Sequence, residues 1–151
     1  MVRIAEEKDL SGILELYLDL HEDSVPEDSE KRRSTWAYIL DNKNYNIIVY
    51  EVDGVIVSSC TCIIIPNLTR NISSYAIVEN VVTKKEYEGK GYARACLEYA
   101  KQIAIENDCY RITLTTGSYD ERTHAFYRSC GYKSDGKTAY VNVLREVKSK
   151  Y

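Results

Sequence analysis

Proline and glycine are scarce, with two prolines and seven glycines among 151 residues. That excludes a collagenous repeat, a linker-rich chain and a long disordered tract. No apolar run approaches the ~18 residues that a membrane-spanning helix needs. The opening Met1-Val2-Arg3-Ile4-Ala5-Glu6-Glu7 carries no apolar core of a signal peptide. Neither sign of charge dominates: 20 basic and 23 acidic residues leave a net charge of −3. A dedicated nucleic-acid binder carries a strong basic excess, so neither nucleic acid nor membrane is expected as a partner. Histidine is rare, with two residues, and the five cysteines are odd in number and scattered. Cys60 and Cys62 are separated by one residue, not by the two of a zinc half-site. The expectation is no metal, and free thiols in a reducing cytoplasm.

What is present suits one domain spanning residues 1–151. Hydrophobic residues make up 44% and charged residues 28%, as in ordinary globular chains. A chain of this length can bury about two-thirds of its unfolded surface and needs no staple. Fourteen tyrosines, against one Phe and one Trp, supply aromatic core mass with a polar tip.

The pattern predicts a mixed α/β chain of the α+β type. A short strand over 2–5 precedes a helix over 8–21, where Leu10, Ile13, Leu14 and Tyr17 keep helical spacing. A second helix is expected over 30–40. Residues 45–52 are rich in β-branched and aromatic side chains. Asp53-Gly54 follows as a hairpin turn, and 55–65 returns until Pro66 stops it. With a third strand over 73–83, the three form an antiparallel meander. Ala93, Cys96, Leu97, Ala100, Ile103 and Ala104 form an amphipathic stripe. A strand over 110–115, a helix opened by the capping-box spacing of Ser118 and Glu121, and an alternating strand over 138–147 complete the order.

The most informative segment joins the third meander strand to the striped helix. Gly89 and Gly91 stand immediately before that helix. Glycine there lets the backbone bend and approach a ligand. The free N–H groups of a helix start and the helix dipole favour an anion such as a diphosphate. Lys84, Lys85, Lys90 and Arg94 add positive charge. A surface loop with two turn glycines has the same pattern. A Walker loop is excluded because Gly-Lys-Ser/Thr is absent. A dinucleotide fingerprint is excluded because Arg94 occupies the third glycine position.

The run Glu88-Gly89-Lys90-Gly91-Tyr92-Ala93 after Val81-Val82-Thr83 resembles the acetyl-CoA motif of the GNAT N-acetyltransferases, Arg/Gln-x-x-Gly-x-Gly/Ala, with Glu88 where Arg or Gln is usual. His124-Ala125-Phe126-Tyr127-Arg128-Ser129-Cys130-Gly131-Tyr132 is similar to the family's Ala-x-x-Phe-Tyr-x-x-x-Gly-Phe stretch. The two motifs and the element order cover residues 46–146.

The resemblance implies the GNAT fold: a central mixed, mostly antiparallel sheet of six to seven strands flanked by about four helices, with the third meander strand splayed from the next. It implies acetyl-CoA as cosubstrate and no metal. Val81, Val82, Thr83, Glu88, Gly89, Lys90, Gly91, Tyr92, Ala93 and Arg94 would bind it. It implies direct transfer to a primary amine, read as that of a small molecule, within a ternary complex. Glu79 is the expected base or substrate contact, and strand alternation puts Ile77, Glu79 and Val81 on one face. Tyr127 is the expected acid toward the leaving sulfur. Members often pair as homodimers. The alternative is a non-catalytic acyl-CoA-binding module on the same fold. His124, three residues from Tyr127, comes with no Ser or Cys nucleophile motif.

Overall fold

A computed structural model describes residues 1–145. The chain opens with strand β1 (Val2–Ile4). The first helical stretch is broken into a 3-10 turn (Glu7–Asp9), α1 (Leu10–Leu16) and a second 3-10 turn (Tyr17–Asp19), where a single helix over 8–21 was expected. Helix α2 (Glu30–Asp41) starts on Ser29, whose hydroxyl accepts the Arg32 N–H at 3.2 Å.

The meander forms as its alternation predicts. β2 (Tyr45–Val52) and β3 (Val55–Ile65) turn at Asp53-Gly54, both with left-handed backbone. A four-residue turn, α3 (Thr69–Ile72), left-handed at Arg70, Asn71 and Ile72, leads into β4 (Ser74–Thr83). A 3-10 turn (Lys85–Tyr87) then delivers the chain to α4 (Tyr92–Glu106). β5 (Cys109–Leu114) pairs parallel to β4, and α5 (Glu121–Ser129) follows. The helix α5 is capped by Asp120, which accepts the Arg122 N–H at 2.9 Å. Ser118 instead braces the preceding loop by accepting the Asp120 N–H, so the expected capping box does not form.

Among the described residues the sheet has five strands in the order β1-β2-β3-β4-β5, antiparallel except for β4 with β5. That corrects the expected six to seven strands. The five helices exceed the expected four by the left-handed turn α3. The strand expected over 138–147 is absent over 138–145, and 146–147 lie outside the described residues. Alternation specifies a strand only where one face is covered. Here Tyr140 and Leu144 are 94% and 90% exposed.

Two cores sandwich the sheet. Under α4 lie Ile48, Cys60, Cys62, Ala76, Val78, Cys96, Leu97 and Ala100, so the striped face of α4 is the buried one. Under α1 and α2 lie Ile13, Leu16, Trp36, Ile47, Val49, Ile56 and Val82. An ion cluster ties the first turn to the sheet. Arg3 donates to Asp9 at 2.5 and 3.0 Å and to Glu51 at 2.6 Å, and Asp9 also accepts the Glu6 N–H at 2.7 Å. Asp9 is held below the usual carboxylate range, first by its bond to Arg3.

Candidate active site

The strand β4 changes character halfway. Ser59 pairs with Val82 and Thr61 with Glu79, so Cys60 faces two residues, Asn80 and Val81. That is a β-bulge, with Asn80 in the left-handed region at φ 52°. Asn adopts that region more readily than most residues. The extra residue inverts the alternation. Ala76 and Val78 pack under α4, and Val81 packs there too, while Val82 joins the core under α1 and α2. The expectation that Ile77, Glu79 and Val81 share a face is therefore corrected: Glu79 keeps the face of Ile77, and Val81 crosses to the other. The end of the strand is pinned by Ser58, whose hydroxyl donates to the Val82 carbonyl at 2.9 Å and lies 2.8 Å from the Thr83 hydroxyl.

The same strand parts from its neighbour at this point. β4 and β5 pair from Ser74 with Cys109 to Val78 with Leu114, and β5 ends there. From Glu79 to Thr83 the β5-facing edge of β4 has no strand partner among the described residues.

At that start, Gly89 and Gly91 have φ of 74° and 85°, and Gly91 is the N-cap of α4. Nothing lies within 4 Å of where a side chain would sit on either glycine. The first intrahelical bond runs from the Ala95 N–H to the Gly91 carbonyl. The N–H groups of Tyr92, Ala93 and Arg94 therefore face out of the helix end, into open space. Tyr92 stacks on Tyr50 with centroids 4.4 Å apart, and Lys90 sits 4.7 Å above the Tyr87 ring. These contacts hold the turn before any ligand arrives. The Arg94 guanidinium is engaged elsewhere: it donates to the Ser129 carbonyl at 2.9 Å and hydroxyl at 2.7 Å, which joins α4 to α5. Glu88 lies at the rim, exposed, and its charge helps keep Arg122 protonated after the larger effect of Asp120.

Tyr127, on α5, packs against the core under α4 beside Phe126 and Tyr132. Burial pushes its phenol above the usual value, with the thiols of Cys60 and Cys130 adding to the effect. Cys60 is the residue opposite the bulge, so α5 places this phenol by the parting of the strands. It keeps its proton at neutral pH and is a donor there. His124 is engaged elsewhere: its Nε2–H donates to the Ser118 carbonyl at 2.7 Å. Tyr127 and His124 also line an open groove of about 810 Å³ along the free edge of β5. Burial pushes Cys60 and Cys96 upward, the latter to about 12, so both thiols stay protonated.

Glu79 is exposed on the opposite face, in a tyrosine-rich setting that the sequence alone did not single out. Burial raises the Tyr45 phenol, and the charge of Glu79 adds to it. Burial pushes Tyr17 up to about 12, with the Thr61 hydroxyl acting in the other direction. Thr61 pairs directly with Glu79 across β3 and β4. Helical spacing alone assigned Tyr17 to the core, and only the tertiary fold brings it to the same face as Glu79. Among the described residues, no cluster of three or more His, Cys, Asp or Glu gathers as a metal site would require, and no helix is long and apolar enough to cross a membrane.

Comparison with known proteins agrees with this geometry. The model of the Acetyltransferase (GNAT) family matches residues 10–132. A glucosamine 6-phosphate N-acetyltransferase of Trypanosoma brucei brucei is 30% identical over 138 residues, covering 88% of each chain. A putative acetyltransferase from Agrobacterium tumefaciens superposes with a TM-score of 0.88 at 36% identity, covering 95% of this chain and 99% of that one. AAC(6')-Iy, solved with the bisubstrate analogue CoA-S-monomethyl-acetylneamine, shares the fold at a TM-score of 0.78 and 13% identity, covering 96% and 98%. The glycine turn, the parted strands and the family match together make this chain an acetyltransferase of the GNAT family.

Proposed function

We propose that the enzyme transfers the acetyl group of acetyl-CoA to a primary amine of a small molecule, by direct attack in a ternary complex. The observation that carries this reading is the pair of left-handed glycines opening α4 directly beside the unpaired end of β4. The amides of residues 89–94 hold the diphosphate, and Val81, Val82 and Thr83 border the arm. Acetyl-CoA, when bound, supplies an activated acyl group and a thiolate leaving group.

The chain's own residues manage the protons. An alkylamine of pKa near 10.4 is neutral in only about one molecule in 10³ to 10⁴ at pH 7. Glu79, exposed where the acceptor would arrive, takes the proton directly or through water. The Tyr127 phenol, still protonated, donates toward the departing sulfur. Backbone N–H groups at the bulge polarise the carbonyl. The curated relatives, named for an amino sugar phosphate, and the aminoglycoside enzymes among the structural neighbours support a small-molecule acceptor.

Five unpaired cysteines suit a reducing cytoplasm. The unpaired edge of β5 and the exposed Tyr140, Val141, Val143 and Leu144 support pairing of two copies, which sedimentation at two concentrations would detect as a dimer or exclude. Calorimetry with CoA and acetyl-CoA tests the cradle, and thiol release across a panel of amines tests transfer. No heat with either coenzyme on folded protein would end this reading. Binding without thiol release from any amine would reduce it to a coenzyme-binding module.

A further inference from the structure

Helix α5, which carries Tyr127, is held weakly by burial. Helices α1, α2 and α4 each bury at least one side chain, whereas no residue of α5 is buried. Phe126 and Tyr127 reach the core under α4 only in part. The hydrogen bonds of α5 are mostly local. The Cys130 N–H is shared between the Phe126 carbonyl at 3.1 Å and the Tyr127 carbonyl at 3.0 Å, and the Tyr127 carbonyl also accepts the Tyr132 N–H at 3.1 Å. At the other end, His124 and Arg122 bond to Ser118 and Asp120, within the segment that opens the helix. Among the described residues, the one side chain that hydrogen-bonds to α5 from another element is Arg94.

Arg94 stands in the first turn of α4, where the helix dipole disfavours a cation and no acidic residue of that turn offsets it. Its guanidinium turns away, to the last turn of α5, where the same effect favours it. There it grips Ser129 at two points, the carbonyl at 2.9 Å and the hydroxyl at 2.7 Å. A planar fork bound at two points fixes direction as well as distance. The Ser129 hydroxyl then donates to the Phe126 carbonyl at 2.7 Å. That carbonyl belongs to the planar peptide unit that also carries the Tyr127 N–H. The chain of bonds from Arg94 therefore ends on the peptide group from which Tyr127 projects. At its other end, the Arg94 N–H is the last of α4 left free, because the Ala95 N–H already bonds the Gly91 carbonyl.

From this arrangement we infer that Arg94 is a positioning residue for the acid. Its backbone stands at the diphosphate cradle, and its side chain clasps α5 so that the Tyr127 phenol stays within reach of the departing sulfur. The inference rests on the proposed acetyl transfer and adds to it a residue whose side chain touches neither the thioester nor the amine. Little else orients α5, so loss of the clasp shifts the phenol. A misplacement of about 1 Å costs on the order of 10²-fold in rate.

Two measurements test it, both on the full chain. In the first, backbone hydrogen exchange is followed on the ligand-free protein. Arg94→Met, which keeps the aliphatic stem, should speed exchange across residues 126–132 tenfold or more and leave residues 96–106 as in wild type. Unchanged exchange across 126–132, or equal acceleration in both segments, overturns the inference. In the second, steady-state kinetics are measured with the best amine of the panel. Arg94→Met should lower kcat tenfold or more with KM for acetyl-CoA within twofold of wild type, and Arg94→Lys should recover part of the loss. Ser129→Ala, which keeps the carbonyl and removes the hydroxyl, should fall between wild type and Arg94→Met. Placed on Tyr127→Phe, Arg94→Met should add nothing, because the phenol it positions is gone. A full further loss in that background means a role independent of Tyr127 and overturns the inference, as does an unchanged kcat. A tenfold or greater loss of CoA affinity in Arg94→Met would assign the guanidinium to the coenzyme and overturn it too. The exchange measurement needs neither coenzyme nor turnover, so its result stands apart from failure of the acetyl-transfer reading, which would show as absent thiol release from every amine.

Discussion

Gly91→Ala should separate backbone strain from loss of the coenzyme site, because Gly54 provides a matched control. Both glycines are left-handed, at φ 85° and 78°, and a methyl group on either meets no atom within 4 Å. Each Ala variant therefore carries the same cost, about 1–2 kcal/mol for a non-glycine residue in this region. In a domain of this size each kcal/mol lowers Tm by about 2–4 °C, so both variants should melt roughly 2–8 °C below wild type. Their coenzyme affinities should differ. The methyl at 91 stands in the open space in front of the first amides of α4, where the diphosphate is to lie. Two charge-assisted hydrogen bonds lost there amount to about 3 kcal/mol or more, a fall in affinity above a hundredfold. Gly54→Ala, in the turn between β2 and β3 and outside the residues that open α4, should bind CoA as wild type does. Calorimetry with CoA at a temperature where both variants remain folded is the assay. If Gly91→Ala binds CoA as tightly as the wild type, the cradle is not the site. If Gly54→Ala loses as much affinity as Gly91→Ala, general loosening explains the effect.

Tyr127→Phe should lower kcat by roughly 10²-fold or more, the range of a positioned acid, with KM for acetyl-CoA unchanged; an unchanged kcat would remove the phenol from the chemistry. Glu79→Gln should slow the enzyme most near neutral pH, and the deficit should narrow as pH rises toward the amine's own pKa. A loss of constant size across pH would instead mark Glu79 as a binding contact. Asn80→Gly should keep fold and activity, whereas Asn80→Val should cost at least about 1–2 kcal/mol and most of the activity, since a β-branched residue resists φ 52°; equal behaviour of the two would mean that the bulge is dispensable. Asp9→Asn should destabilise by about 2 kcal/mol at pH 7, less than the 3–5 of a fully buried pair because Arg3 is 16% exposed. Asp9 has its pKa lowered by Arg3, so its contribution is present above the ordinary carboxylate value and lost as pH falls through the lowered one. Denaturant titrations should therefore find variant and wild type converging in acid.

How far the sequence carried depended on whether a feature is local. The hairpin at Asp53-Gly54, the two long strands around it and the stripe of α4 follow from patterns within a dozen residues, and β2 and β3 emerge with the expected bounds. The glycine turn was readable for the same reason: what it needs, φ above zero before a helix, is a demand that only a few residue types meet. The bulge was not readable. Period-two alternation has no symbol for an inserted residue, and Glu79-Asn80-Val81-Val82 looks like uninterrupted strand until β3 supplies the pairing partner that counts one residue short.

On the proposed mechanism, the bulge lets one strand face two substrates. Without it, Glu79 and Val81 would lie on the same face, and whatever stood next to the base would also stand next to the core under α4. With one residue inserted at Asn80, the strand keeps Glu79 on the face where its charge acts on Tyr45, and two residues later presents Val81 to the core under α4, against which Tyr127 also packs. A base at Glu79 and an acid at Tyr127, as proposed, would approach from opposite faces of the sheet. Under that proposal they would meet at the edge of β4 that β5 leaves unpaired among the described residues, which suits a direct transfer between two molecules entering from opposite sides. A strand restored to regular alternation would keep both side chains and lose the meeting point. For that reason Asn80→Val should reduce activity far more than its cost in stability accounts for.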